Sequence, residues 1–149
     1  MGQRRWKADR DPLYRGDVEG GVSLPSPSGD QSIVRHLLYL GGSGRETPYI
    51  STTEEREIAE RFAGARGVVY RTEVPAWRNC GVRHISRVEL LDLLKGSGKG
   101  NASWSSAYEV MRARQYVEET AEHLADFSAT DLVSETTLRQ TVGSLFVRA

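Results

Sequence analysis

The sequence contains a single cysteine, Cys80, among its 149 residues, and this scarcity excludes two kinds of structure. No disulfide can form within the chain, and no cluster of thiolate ligands can hold a metal ion. The three histidines, His36, His84 and His123, are far apart and follow no ligand spacing. Because a zinc site needs several convergent donors, we expect no metal site.

Long apolar runs are also absent, and the mean hydropathy is −0.49. No run approaches the roughly 20 apolar residues that a membrane-crossing helix needs. The N-terminus shows no signal-peptide pattern, and its start, M-G-Q-R-R-W, lacks the Ser or Thr of a myristoylation signal. We expect a globular domain with no membrane partner.

The net charge is zero, but the charges are unevenly placed. Residues 61–99 carry eight Lys or Arg side chains against three carboxylates, and the balance turns acidic after residue 100. Arginine is the better bidentate partner for phosphate. Charge alone still favours ordinary solvated surfaces over a nucleic-acid groove.

Residue patterns predict a single α+β domain over 1–149, with residues 1–10 as a loose arm. A short strand at 13–15 is expected to stop at Gly16-Asp17, and the Gly-, Ser- and Pro-rich segment 19–30 predicts a loop. A helix closed by Gly41-Gly42 follows, and Tyr49-Ile50 begin a second strand.

Residues 54–63 place Ile58, Ala59, Phe62 and Ala63 on one helical face, with a capping box formed by Thr52 and Glu55. The β-branched stretch 68–74 predicts a strand that Pro75 ends. Helices are predicted over 87–95, over the segment from 104 to about 126, and over 128–142. Tyr116-Val117 could instead belong to a strand.

Two motifs suggest chemistry that their surroundings do not support. G-S-G-K-G at 96–100 lacks the spacing of a phosphate-binding loop and follows a helix, so it predicts a flexible loop. Ser51 lies in no G-x-S-x-G elbow and has no accompanying histidine pattern, so a hydrolase triad is a poor interpretation. Ser51 alone could equally be a helix cap.

Three motifs in order favour a more specific interpretation. They are L-Y-R-G-D at 13–17, Y-I-S-T-T at 49–53 and V-V-Y-R-T-E-V at 68–74. Together they resemble the ADP-ribosyltransferases of the cholera- and pertussis-toxin type, the Arg-Ser-Glu class. The resemblance covers residues 12–78, half of the chain. It implies two small packed β-sheets with flanking helices around a cleft for NAD, which is the substrate.

The resemblance also implies roles for individual residues. Arg15 would hold the dinucleotide, with Tyr14 and Gly16 beside it. Ser51 would orient the nicotinamide ribose and the catalytic acid, and Thr52 would shape the strand end. An aromatic, either Tyr49 or one in the loop before it, would stack on nicotinamide. Asp17 would support Arg15 or serve only as a turn residue.

The third catalytic residue has no clean match in the sequence. The family places a glutamate on a later strand, often as Glu-x-Glu or Gln-x-Glu. The stretch R-A-R-Q-Y-V-E-E at 112–119 puts Gln115 at that position, and a shifted alignment puts Glu118 or Glu119 there. Glu109 is a further candidate. All four could instead lie on a solvated helix.

The resemblance extends to the C-terminal toxin modules of bacterial polymorphic (Rhs-type) toxins. It implies a secreted effector that a larger carrier protein delivers into the target-cell cytoplasm, with a cognate immunity protein as partner. The acceptor of ADP-ribose would be RNA, DNA or a protein side chain. NAD glycohydrolysis and a non-catalytic binding domain are the two alternatives.

Overall fold

A computed structural model describes residues 5–40, 46–132 and 134–149. Six strands form one sheet: Leu13–Asp17 (β1), Tyr49–Thr53 (β2), Val68–Thr72 (β3), Arg83–Ile85 (β4), Glu122–Asp126 (β5) and Val147–Arg148 (β6). Six α-helices accompany them: Ile33–Leu38 (α1), Arg56–Ala63 (α2), Val74–Asn79 (α3), Arg87–Leu93 (α4), Ala107–Thr120 (α5) and Glu135–Leu145 (α6). A 3-10 helix spans Gly100–Ala102.

The strands run in the order β4-β5-β2-β1-β3-β6, and each neighbouring pair is antiparallel. This corrects the expectation of two packed sheets. The middle of the sheet is nevertheless weak, because β1 and β2 share the single residue pair Tyr14 and Thr53. By contrast, β1 shares five pairs with β3, and β2 shares five with β5. Two three-stranded halves therefore separate beside the β1–β2 junction.

Two apolar cores cover the two faces of the sheet. Neighbouring residues of a strand point to opposite faces, so Tyr49 and Leu124 enter one core while Ile50 and Ala125 enter the other. Helices α1, α4 and α5 supply the first core, and α3 and α6 supply the second. Helix layers on both faces leave the separated strand ends as the open part of the sheet.

Helix α2 packs directly on β1 because Gly16 has no side chain. A Cβ at residue 16 would lie 2.0 Å from the Ala59 carbonyl oxygen and 2.5 Å from the Ala63 nitrogen. The prediction that β1 stops at Gly16-Asp17 is wrong, since both residues pair with β3. Gly16 is a point of close contact inside the strand.

The predicted capping box of α2 is also wrong. Thr52 lies inside β2, where its hydroxyl donates to the carbonyl of His123 at 2.9 Å. The N-cap of α2 is Glu55, whose own N–H donates to the Thr53 hydroxyl at 3.1 Å. The two threonines of the Ser-Thr-Thr cluster therefore form hydrogen bonds at the end of β2 instead of the predicted capping box.

The largest error of the sequence prediction concerns residues 116–126. Helix α5 ends at Thr120, Ala121 takes a left-handed conformation with φ of 47°, and the chain continues as β5. Neither the helix to 126 nor a strand at 116–117 is found. The five residues of β5, E-H-L-A-D, are all buried between β2 and β4. Tertiary burial overrides their weak strand propensity.

Other boundaries differ less. Pro75 lies in the first turn of α3 instead of only ending a strand, as proline's fixed φ allows. Helix α6 begins at Glu135, later than the predicted 128, and ends at Leu145. Helix α1 ends before the predicted Gly41-Gly42 stop, which lies outside the described residues.

The N-terminal arm is packed over its described part. Trp6 is half-buried, donates from Nε1 to the Pro12 carbonyl at 2.9 Å, and lies 4.3 Å (ring centroids) from His123. His123 Nδ1 is 2.8 Å from His84 Nε2, and its Nε2 is 2.7 Å from Glu54. Within the predicted loose arm, Trp6 therefore packs against the domain, and residues 1–4 lie outside the described residues. No helix of the described chain has the length and apolar character of a membrane span.

Candidate functional site

A cavity of about 350 Å³ opens beside the β1–β2 junction. Strand β1 supplies Arg15 to its lining, β2 supplies Ser51 and β5 supplies Glu122. Helix α2 forms one wall, while Tyr39 and Tyr116 come from the side of α1 and α5. The separation of the two half-sheets creates the space for these side chains.

Arg15 bridges the gap between the half-sheets. Its Nη1 donates to the Ser51 carbonyl at 3.1 Å, and its Nε and Nη2 reach Asp17 Oδ2 at 3.0 and 2.9 Å. Backbone N–H groups of Val18 and Ser23 also donate to Asp17, at 2.8 and 2.9 Å. The planar guanidinium is therefore fixed in direction before any ligand binds.

Asp17 acts as a permanent counter-ion for Arg15. Burial by itself would raise the pKa of the Asp17 carboxyl. The hydrogen bond from Ser23, the charge of Arg15 and the hydrogen bond from Val18 outweigh this effect and hold the pKa below its ordinary value. The support role predicted for Asp17 is observed, whereas a turn role is not, because Asp17 lies in β1.

Ser51 lies in a chain of hydrogen bonds with His36 and Thr47. Its Oγ is 2.8 Å from His36 Nε2, and His36 Nδ1 is 2.8 Å from the Thr47 hydroxyl. The Ser51 hydroxyl also lies close enough to the Glu122 carboxyl to lower its pKa. Since a hydroxyl has one proton, Ser51 can donate to ionised Glu122 only if His36 donates to Ser51 from Nε2. Thr47 then donates to His36 Nδ1.

Glu122 is the most unusual group of the cavity. Glu122 is only 2% exposed, and its Oε2 has no hydrogen-bond partner among the described residues. Thr120 Oγ1 lies 3.4 Å from the other carboxylate oxygen. Burial raises the pKa of Glu122 to about 7, against the opposing effects of the Ser51 hydrogen bond and the Arg15 charge. An orphaned acceptor in a cavity wall is suited to receive a ligand hydroxyl.

The register of the sheet explains why Glu122 faces Ser51. Thr53 is directly opposite Glu122, and Ser51 is directly opposite Leu124, so all four residues share one face. His123, the next residue along β5, points to the other face. The strand that the sequence analysis read as helix therefore delivers the carboxylate.

The four candidates for the third catalytic residue that were predicted from the sequence lie elsewhere. Gln115, Glu118 and Glu119 are exposed on α5, and Glu109 accepts a hydrogen bond from Trp104 Nε1 at 2.9 Å. None of the four lines the cavity. The glutamate that does line the cavity is Glu122, because the chain turns from helix to strand at Ala121. The segment E-H-L-A-D has no strand pattern, so no sequence signal pointed to Glu122.

The predicted NAD-binding residues divide into two groups. Tyr14, Gly16 and Thr52 line the cavity with Arg15 and Ser51. Tyr49 does not: it is 4% exposed and donates from its hydroxyl to the Gln31 carbonyl at 2.7 Å. Its place in the core corrects the prediction that it stacks on a ligand.

The sequence analysis gave no role in the site to three aromatic side chains that line the cavity, or to one histidine that contacts Ser51. Phe62, predicted on the core face of α2, is 53% exposed and lines the cavity, as does Tyr39, which is 57% exposed. Tyr116 is half-buried, and burial raises its pKa. His36 is distant from Ser51 in sequence, and only the packing of α1 brings them into contact.

The sequence analysis predicted no metal site, and the three histidines and Cys80 all lie in the described part of the chain. Within the part of the chain that the structure describes, no group of three His, Cys, Asp or Glu residues is arranged to hold a metal ion.

Comparison with known proteins adds no relative to this description of the cavity. No protein-family model, no curated protein and no solved structure matches the chain.

Proposed function

We propose that the protein is a mono-ADP-ribosyltransferase toxin that transfers ADP-ribose from NAD to a macromolecular acceptor. The proposal rests on the motifs around Arg15 and Ser51, which resemble the Arg-Ser-Glu class. The observation that carries it is the convergence of these two residues with a buried glutamate, Glu122, in one cavity. We assign to Glu122 the glutamate role for which the sequence offered Gln115, Glu118 and Glu119.

The reaction needs a group that stabilises positive charge on a ribose. The bond between the nicotinamide nitrogen and the ribose anomeric carbon breaks, and its electron pair leaves with nicotinamide. An oxocarbenium-like ribose remains, as in glycoside cleavage. The acceptor's nucleophilic atom then bonds to the anomeric carbon and loses its proton. A buried carboxylate beside this carbon would stabilise the charge that develops.

Glu122 is suited to this task in two respects. Its Oε2 has no partner among residues 5–40, 46–132 and 134–149, so it can accept a hydrogen bond from a ribose hydroxyl. Its burial excludes water, which strengthens electrostatic stabilisation. The Ser51 hydroxyl favours the ionised form of the carboxylate by lowering its pKa.

Arg15 would bind the anionic part of the dinucleotide. Its side chain is 22% exposed, and its guanidinium is directed by Asp17 and the Ser51 carbonyl. A fixed fork of N–H donors suits a phosphate or a ribose hydroxyl. From the resemblance to toxin modules, the proposal also includes a cognate immunity protein as partner and a larger carrier protein that delivers the toxin.

The test uses purified protein, NAD labelled in its adenylate phosphate, and cell lysate. We expect labelled macromolecules and released nicotinamide with the wild type. Glu122→Gln should lower the rate by about 10²–10³-fold, as is typical for loss of one transition-state-stabilising group. Glu119→Gln is the matched control because its side chain is exposed on α5 and lies outside the cavity.

Two results would contradict the proposal. Free ADP-ribose forming at the full rate without any macromolecule would indicate an NAD glycohydrolase. Absence of NAD binding and cleavage, with Glu122→Gln as toxic as the wild type on expression in bacteria, would indicate a non-catalytic binding domain.

A further inference from the structure

We propose that Tyr39 and Phe62 form an aromatic clamp at the mouth of the cavity that stacks on a nucleobase of a single-stranded RNA acceptor. This inference rests on the proposed function and names its substrate class. The two rings are the most exposed aromatic groups of the cavity lining, at 57% and 53%. They come from separate elements, the C-terminal end of α1 and the last turn of α2.

The backbone of Tyr39 indicates that its ring position matters. Tyr39 ends α1 with φ of 55° and ψ of 36°, the left-handed conformation that glycine usually supplies at this place. A bulky residue in this region is strained, at a cost that persists where function requires the side chain. The ring is largely exposed, so burial of the ring does not account for a tyrosine here. The ring borders the cavity instead.

Phe62 departs from its helical pattern in a similar way. On α2, Ile58 and Ala59 are buried, whereas Phe62 on the same face is half exposed and borders the cavity. Tyr116 also lines the cavity, and the Tyr39 phenol is close enough to contribute to the raised pKa of Tyr116. The lining therefore carries aromatic side chains from the α1, α2 and α5 sides of the cavity.

The charges around the mouth favour an anionic chain over a cationic side chain. The cavity lining contains two cations, Arg15 and Arg66, and two carboxylates, Asp17 and Glu122. Asp17 is held by Arg15, and Glu122 is 2% exposed. Arg66 is exposed and makes no ion pair within the described chain. An arginine side chain as acceptor would approach Arg66, whereas an RNA backbone would pair with it.

Single-stranded RNA combines the two features that the mouth would recognise. Its unpaired bases stack on exposed aromatic rings, and its phosphates bind arginine. Double-stranded nucleic acid hides the base faces and could not enter between the rings. The acceptor atom would then belong to the clamped nucleotide, which the stacking would hold over the ribose of NAD.

The experiment separates acceptor binding from NAD chemistry. A fluorescein-labelled 12-nucleotide single-stranded RNA of random sequence is titrated by anisotropy at fixed salt, and NAD cleavage is measured with and without total cellular RNA. We expect Tyr39→Gly and Phe62→Ala to weaken RNA binding and RNA labelling by about tenfold each. NAD cleavage without RNA, measured in parallel, shows whether either ring also contacts NAD.

Three variants guard the interpretation. Tyr39→Gly should melt at the same or a higher temperature than the wild type, because glycine relieves the left-handed strain. Tyr39→Phe should retain RNA labelling, since it keeps the ring. Tyr108→Ala removes an aromatic that is 65% exposed and lies outside the cavity, and should leave RNA binding unchanged.

The outcomes distinguish this proposal from the proposed function. Labelled protein with unlabelled RNA would overturn the RNA acceptor and leave the transferase intact. Equal losses of RNA-free NAD cleavage and RNA labelling in Tyr39→Gly and Phe62→Ala would overturn the clamp by placing the rings on NAD. No NAD cleavage by the wild type would overturn the transferase, and unaltered RNA affinity in both variants would overturn the clamp.

Discussion

Arg15 donates a hydrogen bond of 3.1 Å to the carbonyl of Ser51, 36 residues further along the chain, where β1 and β2 share a single residue pair. The same guanidinium reaches Asp17. One side chain thus replaces part of the missing strand ladder and also faces the cavity. Structure and proposed chemistry depend on the same group.

Replacement of Arg15 should separate these two contributions. Arg15→Ala leaves Asp17 without its counter-ion and the Ser51 carbonyl without this donor, and should lower the free energy of unfolding by about 1–3 kcal/mol. Arg15→Lys keeps a charge but loses the planar fork. We expect Arg15→Lys to recover much of the stability in urea unfolding while its KM for NAD stays raised. Equal KM values for Arg15→Lys and the wild type would show that the fork does not bind NAD.

Glu122 should make stability fall as the pH rises. Its folded-state pKa is about 7, above the ordinary value of 4.5. A carboxyl with a raised pKa binds its proton more tightly when folded, so its contribution is fully present below pH 4.5 and is lost as the pH rises through about 7. The shift corresponds to a change of about 3 kcal/mol at most. Urea unfolding of wild type and Glu122→Gln between pH 4 and 8 measures this difference.

The expected result is a free-energy difference between the two proteins that changes over this interval and levels off on both sides. A constant difference would mean that Glu122 titrates in its ordinary range. The same group predicts that kcat/KM for NAD rises with a midpoint near pH 7, since kcat/KM reports ionisation in the free enzyme.

His36 should act through Ser51. It contacts the Ser51 hydroxyl at 2.8 Å but does not line the cavity. We expect His36→Ala to lower kcat by about tenfold, because Ser51 is then free to rotate away from Glu122 and one hydrogen bond of about 1 kcal/mol is lost. The KM for NAD should change little. His36→Gln, whose amide can donate to Ser51, should restore part of the rate, and no rescue would contradict the positioning role.

Gly16 should be intolerant of the smallest side chain. In Gly16→Ala the new Cβ would meet the Ala59 carbonyl oxygen at 2.0 Å, so α2 must move away from β1. We expect destabilisation of about 3 kcal/mol or more, at the upper end of overpacking effects. Gly20→Ala is the matched control, because nothing lies within 4 Å of its added Cβ. Similar melting temperatures for the two variants would disprove the close contact.

The sequence predicted the elements that local interactions determine and missed those that depend on contacts between distant segments. The strands that begin at 13, 49 and 68 and the helix that begins at 87 were recognisable because apolar periodicity and local breakers determine them. The end of the first strand was not, because Gly16 and Asp17 pair with β3. The strand at 122–126 was not, because E-H-L-A-D has little intrinsic preference for a strand. Its conformation comes from pairing with β2 and β4.

The sequence by itself determined where Arg15 and Ser51 lie on strands and that no disulfide can join any part of the chain. Only the tertiary structure decided which carboxylate faces Ser51, that His36 holds the same hydroxyl, and that Tyr39 and Phe62 border the cavity. Strand and helix signals act over a few neighbouring residues. The β1–β2 junction joins segments dozens of residues apart, and the turn at Ala121 that aims Glu122 is stable only when both faces of β5 are buried.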